Sequence, residues 1–144
     1  YGPRQDPHGE AGVTAIFCNN LLASKPVVVF GDGGQTRDYV YVDDVVEAFV
    51  AAGTRPGAAG HRFNIGSGIE TSVLGLYEAL VEVTGFGPEP TFAPARPGEL
   101  RRVALDPSLA KRVLGWRATT PLPEGLARTW SWVFSQANAG SVGG

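Results

Sequence analysis

Two arginines and a glutamate stand where they could hold an anion and a diol. Arg37 lies among Asp38, Tyr39 and Tyr41, just after the turn Gly31-Asp32-Gly33-Gly34. A guanidinium donates through a planar fork that matches phosphate oxygens. An ion pair with Asp38 or Asp32 is the plainer use of the same side chain. Arg96-Pro97-Gly98-Glu99 sets a cation and an anion three residues apart on backbone stiffened by proline and glycine. One side chain could hold phosphate while the other accepts from a ribose diol; an ordinary turn is the local alternative. Gly12 is the third feature. It opens a helical pattern beginning at Val13, and unpaired N–H groups at a helix start favour phosphate. A glycine that merely permits a turn has the same local signature.

Other reactive types lack partners. His8 and His61 stand far apart and near no plausible Ser or Cys nucleophile. Asp43-Asp44 opens a helical pattern, where capping accounts for it better than paired acid–base work. Gly31-x-Gly33-Gly34 lacks the G-x-G-x-x-G spacing and precedes a strand, so it is no dinucleotide fingerprint. Cys18 has no metal-ligand spacing around it and reads as a core filler on a helix. No metal site is expected.

These residues need elements to position them. Val13, Ile16, Phe17 and Leu21 predict a helix over 13–22, and Val27 to Phe30 a buried strand. Arg37 to Val42 reads as a second strand. A helix follows, capped by Asp43 or Asp44, carrying Val45, Val46, Phe49 and Val50, and closed by Gly53. Arg62 to Ile65 predicts a short strand. Thr71 is expected to cap the next helix, whose stripe of Val73, Leu76, Tyr77, Leu80 and Val81 stops at Gly85. Pro88 to Gly98 is read as extended, and Arg102 to Leu105 as a strand. Asp106-Pro107 starts a helix ending at Gly115. The last helix covers 120–134, with Leu126, Trp130, Val133 and Phe134 inward; residues 137–144 form a small, polar, flexible tail. Alternating strands and helices place the chain in the α/β class.

Composition narrows the partners. With 144 residues, 20 Gly, 11 Pro and 43% hydrophobic content, the chain is neither collagen-like nor disordered. A net charge of −2, with Arg101-Arg102 as its longest basic cluster, argues against nucleic acid. No apolar run approaches the roughly 20 residues that span a bilayer, so no membrane partner is expected. One cysteine and no leader-like segment fit a reduced, cytoplasmic setting. The absence of Met and the start at Tyr1 suggest a piece of something longer.

Six segments in order resemble one family: Tyr1-Gly2-Pro3-Arg4-Gln5; Val29-Phe30-Gly31-Asp32-Gly33; Gln35 to Val45; Phe63-Asn64-Ile65-Gly66; Arg96 to Glu99; and Leu114-Gly115-Trp116. Together they are similar to the extended short-chain dehydrogenases/reductases, the NAD-dependent nucleotide-sugar epimerases and dehydratases. Gly9-Glu10-Ala11-Gly12-Val13 is nearest to the branch that interconverts UDP-glucose and UDP-galactose. The short turn before Arg37 is shared with dTDP-glucose dehydratases and does not select among them. Leu109 stands where many relatives have Lys.

The resemblance implies a C-terminal substrate-binding domain over residues 1–136. Segments near 38–52 and 61–66 would complete a Rossmann domain whose N-terminal, NAD-binding part is not in this sequence. It implies nucleotide-sugar contacts at Gly12, Val13, Val28, Phe30, Arg37, Arg96 and Glu99. Tyr1, Gly2 and Pro3 would border the cofactor. No catalytic residue is expected here, because the family's Tyr-x-x-x-Lys pair is missing, so the chain alone should be inactive. A stand-alone binding module is the alternative. The parent is expected to be a homodimer, and the chain to self-associate through the apolar faces of the Val45–Val50 helix and the Phe63–Ile65 strand.

Overall fold

A computed structural model of the chain describes residues 1–8 and 12–140. Its elements are α1 (Val13–Leu22), β1 (Val28–Phe30), β2 (Thr36–Asp38), α2 (Val42–Thr54), β3 (Glu70–Ser72), α3 (Val73–Thr84), β4 (Thr91–Ala93), a π-helical turn (Ala110–Leu114) and α4 (Leu122–Gly140). The class is α/β, as the alternation predicts. No helix among the described residues is long and apolar enough to cross a membrane.

The strands form two separate pairs. β1 runs parallel to β4, with Val29 opposite Phe92. β2 runs antiparallel to β3, with Arg37 opposite Thr71. The segment 88–98, read as merely extended, thus contributes a paired strand. Pro90 and Pro94 flank it and limit it to three residues, because proline brings no N–H to a ladder. Two expected strands do not form. Arg102 to Leu105 yields only the bridge from Arg102 to Thr36. Phe63-Asn64-Ile65 pairs with no strand among the described residues; Phe63 and Ile65 lie half-buried against a small core.

The main core packs α1, α3 and α4 against β1 through Phe17, Leu21, Val29, Leu76, Leu80 and Leu126. Cys18 is 0% exposed and fills that core, as its helical position predicts. Ile16, expected inward, is 39% exposed, because the buried face of α1 runs through Thr14, Phe17, Cys18 and Leu21. Phe134 likewise faces outward and packs beside Trp130 at 6.4 Å between ring centroids. A second, smaller core joins α2 to the π-helical turn through Ala48, Ala58, Ala110, Leu114 and Trp116.

Several ends differ from the pattern. Tyr41, not an aspartate, precedes α2, and no side chain caps it. Asp44 points away from its own helix start. Its carboxylate accepts from the Thr119 N–H at 3.1 Å, the Thr119 hydroxyl at 2.9 Å and the Thr120 N–H at 3.1 Å. α2 also continues past Gly53 to Thr54. Ser72, one residue after the expected Thr71, caps α3 by accepting from the Gly75 N–H at 2.9 Å. Gly85, at φ 68°, ends that helix as predicted. The helix expected after Asp106 is mostly a π-helical turn closed by Gly115 at φ 65°. α4 extends to Gly140, beyond the expected tail boundary; residues 141–144 lie outside the described set.

Candidate functional site

Phe30 ends β1, Arg37 sits in the middle of β2, and Arg96 and Glu99 belong to the irregular segment between β4 and Arg102. Folding brings them to one place. A cleft of about 380 Å³ is lined by Phe30, Asp32, Gln35, Arg96, Glu99 and Arg101, with Gly31 and Ala95 between them. The Arg96 guanidinium lies over the Phe30 ring, 3.9 Å from its centroid, an aromatic face that attracts cations. Arg37 Nη2 donates to Glu99 Oε1 at 3.0 Å, while its Nη1 donates to the Leu100 carbonyl at 2.9 Å and the Thr36 carbonyl at 2.7 Å. The ordinary-turn reading of Arg96 to Glu99 holds. The Glu99 N–H donates to the Arg96 carbonyl at 3.2 Å, with Gly98 at φ 76°. Proline second and a left-handed glycine third is the type II turn pattern, and it presents both charged side chains to the cleft.

The plainer ion pairs proposed for Arg37 are not the ones formed. Asp32 is held by Arg101, at 2.6 and 2.9 Å. The Arg101 hydrogen bonds, aided by the Gly34 N–H, keep the Asp32 carboxyl well below the usual carboxylate range. Asp38 instead accepts from the Ser67 and Gly68 N–H groups at 2.8 and 2.9 Å. Arg102 and the Thr36 hydroxyl hold Glu70, lowering its pKa to about 2. Burial pushes the Tyr39 phenol, behind the Arg37–Glu99 pair, up to about 12.

The remaining predicted residues sit elsewhere. Gly12 begins α1, and its carbonyl accepts from the Ile16 N–H at 2.7 Å. A side chain there would meet the Asp6 carbonyl oxygen at 2.9 Å, so close backbone approach explains the glycine. Gly12 and Val13 do not line the cleft, and Gly9, Glu10 and Ala11 lie outside the described residues. Val28 is exposed on the same strand side as Phe30 but beyond the cleft wall. Gln35 and Arg101 also line the cleft, without a local sequence signal for it. Gln35 is buried and donates to the Phe30 carbonyl at 3.1 Å, fixing the end of β1. No local pattern marks that contact. Arg101 was visible only as half of a basic cluster too short to matter.

Residues 1–3 are tied into the fold by their main chain. The Tyr1 amine donates to the Val40 carbonyl at 2.8 Å, and the Tyr1 carbonyl accepts from the Val42 N–H at 2.9 Å. A side chain at Gly2 would meet Val42 at 2.5 Å. At Gly33, in the glycine turn, it would meet Val29 and Leu74. The chain's own side chains fill these spaces. Among the described residues, Gly2 and Gly33 therefore leave no open space for a dinucleotide to approach. No group of three metal-ligating side chains occurs among the described residues.

The chain is similar to several known proteins. Residues 1–66 match the NAD dependent epimerase/dehydratase family. The UDP-glucose 4-epimerase of Mycolicibacterium smegmatis is 56% identical over 129 residues, which is 90% of this chain and 41% of that protein. The crystal structure of UDP-glucose 4-epimerase with UDP-glucose from Thermotoga maritima matches with a TM-score of 0.89 and 46% identity, over 95% of this chain and 44% of that one. UDP-glucuronic acid 4-epimerase from Bacillus cereus, in complex with UDP-glucuronic acid and NAD, matches with a TM-score of 0.86 and 32% identity, over 94% of this chain and 43% of that one. The chain spans about two fifths of the length of the curated relatives it matches. Fold, motif order and identity extend together through the segment bearing Arg96 and Glu99: the chain is similar to the NAD dependent epimerase/dehydratase family over residues 1–66 and to a UDP-glucose 4-epimerase over 90% of its length.

Proposed function

We propose that this chain is the C-terminal, substrate-holding part of an NAD-dependent nucleotide-sugar epimerase acting on UDP-glucose and UDP-galactose. One observation carries it: Phe30, Arg37, Arg96 and Glu99, scattered along the sequence, meet at one cleft or one ion pair on its wall. Arg96, with Arg37 beside it, holds the diphosphate by charge-assisted hydrogen bonds. Glu99 accepts from the ribose hydroxyls, and Phe30 and Val28 flank the base. The α1 start at Gly12 and Val13 adds backbone N–H groups on the approach to the phosphates.

The sequence has no G-x-x-G-x-x-G turn and no Tyr-x-x-x-Lys pair. Hydride transfer between C4 of the sugar and NAD, and removal of the 4-hydroxyl proton, belong to parts of the enzyme this chain does not contain. Its own residues bind the nucleotide and aim the sugar away from the cleft toward those parts. Segments 38–52 and 61–66 then complete the cofactor domain, with Tyr1 to Pro3 at its border. Such a role accounts for Phe49 and Val50 on α2, which are 74% and 60% exposed.

Because Phe30, Arg96 and Glu99 line one cleft of this chain, binding without turnover is the expected behaviour. Calorimetry should detect UDP, and Arg96→Ala should abolish the heat. UDP-glucose with added NAD should give no UDP-galactose. Turnover, or UDP binding indifferent to Arg96, refutes the assignment.

A further inference from the structure

The segment that carries Arg96 and Glu99, residues 94–101, belongs to no helix or strand. Besides its own turn, the Arg37 bonds to Glu99 and Leu100 and the stacking of Arg96 on Phe30, its ends hold it. One end is β4, where the Ala93 carbonyl accepts from the Gly31 N–H at 2.9 Å. The other is the dipeptide Arg101-Arg102, the sequence's longest basic cluster. Its main chain is stitched to Thr36, whose N–H donates to the Arg101 carbonyl at 2.9 Å and whose carbonyl accepts from the Val103 N–H at 3.2 Å. Neighbouring side chains on extended backbone point to opposite sides. Arg102 turns to Glu70 of β3, with Nε and Nη2 on the two carboxylate oxygens at 2.9 and 2.7 Å. Arg101 turns the other way, across Gly34, to Asp32 in the turn after β1, with two parallel bonds. Asp32 is itself fixed by the Gly34 N–H at 2.9 Å. A side chain at Gly34 would stand 2.6 Å from Arg101 Nη2, so the glycine leaves the path open.

We infer that Asp32 and Arg101 are a positioning pair that holds segment 94–101 in its ligand-receiving shape, with Arg102 and Glu70 as its second anchor. Neither Asp32 nor Arg101 needs to touch the nucleotide. Most exposed ion pairs contribute little, but a two-bond guanidinium–carboxylate fork fixes direction as well as distance. A recognition segment already in its bound shape loses less freedom when ligand arrives. The inference rests on the nucleotide assignment for its ligand, but not for its effect on the segment.

The test uses the whole 144-residue chain with two readouts: UDP titration, and hydrogen–deuterium exchange of the 94–103 amides. Asp32→Asn and Arg101→Gln should each speed that exchange and weaken UDP binding about three- to tenfold, with the melting temperature nearly unchanged. The swap Asp32→Arg with Arg101→Asp should recover most of both losses, which a general folding defect would not. Arg96→Ala should remove UDP binding and leave the exchange as it was. Unchanged exchange in both single variants, or no recovery in the swap, overturns the positioning role. Wild-type chain that binds no UDP, while the exchange responds as stated, overturns the nucleotide assignment and supports the pair as the segment's anchor.

Discussion

Asp44 is 2% exposed, and three donors from Thr119 and Thr120 converge on its carboxylate. Burial alone would raise its pKa; these hydrogen bonds outweigh burial and leave the carboxyl below its ordinary value. The folded chain therefore takes up this proton at lower pH than the unfolded one. The stabilisation is complete above the usual carboxylate range and fades as pH falls through it. Asp44→Ala strands the donors and should cost about 3 kcal/mol in urea unfolding. Asp44→Asn should flatten the loss of stability between about pH 5 and 3. Cys18 behaves oppositely to a reactive thiol. Burial pushes its pKa up to about 12, so it should resist a thiol reagent in the native chain and react once urea unfolds it.

At the scale of elements, α3 offers the cleanest substitution. Gly85 ends it at φ 68°, and a side chain there would meet nothing within 4 Å. Gly85→Ala should thus cost about 1 kcal/mol from backbone conformation alone, measurable by chemical unfolding. That ending was legible in sequence, as were the stripe of α3, the strand β1 and the turn that displays Arg96 and Glu99; of β1 only Val29 is fully buried, while Val28 and, on α1, Ile16 face outward against expectation. Each legible feature depends on neighbours within a few residues. What escaped depends on distant ones. Asp44 reads locally as a cap, because Thr119 and Thr120 are not neighbours in sequence. Arg101 looks idle until the fold brings Asp32 beside it. Phe63 to Ile65 has a strand's alternation, but alternation without a partner edge gives no ladder.

Across the whole molecule, the cleft and the outer face of α2 make opposite demands on solvent. The cleft is lined by charged side chains, and on the proposed reading the isolated chain should bind UDP. The α2 face carries Val46, Phe49 and Val50 into water. Sedimentation velocity should show concentration-dependent association of the wild-type chain, reduced in Phe49→Glu, with UDP affinity unchanged. A monomer at all concentrations would remove that face as the cause.

The second core has a consequence for how the chain comes apart. α2 is docked by small side chains, Ala48 against Ala58 and Ala110, with Leu114 and Trp116 as the larger members. Its strongest polar ties are the Asp44 bonds and the Trp116 indole, which donates to the Asp44 carbonyl at 2.8 Å. The helices around Phe17, Leu76 and Leu126 are joined by far more apolar volume. Opening should therefore be stepwise, with α2 and the π-helical turn detaching as one cooperative unit while the three-helix core stays closed.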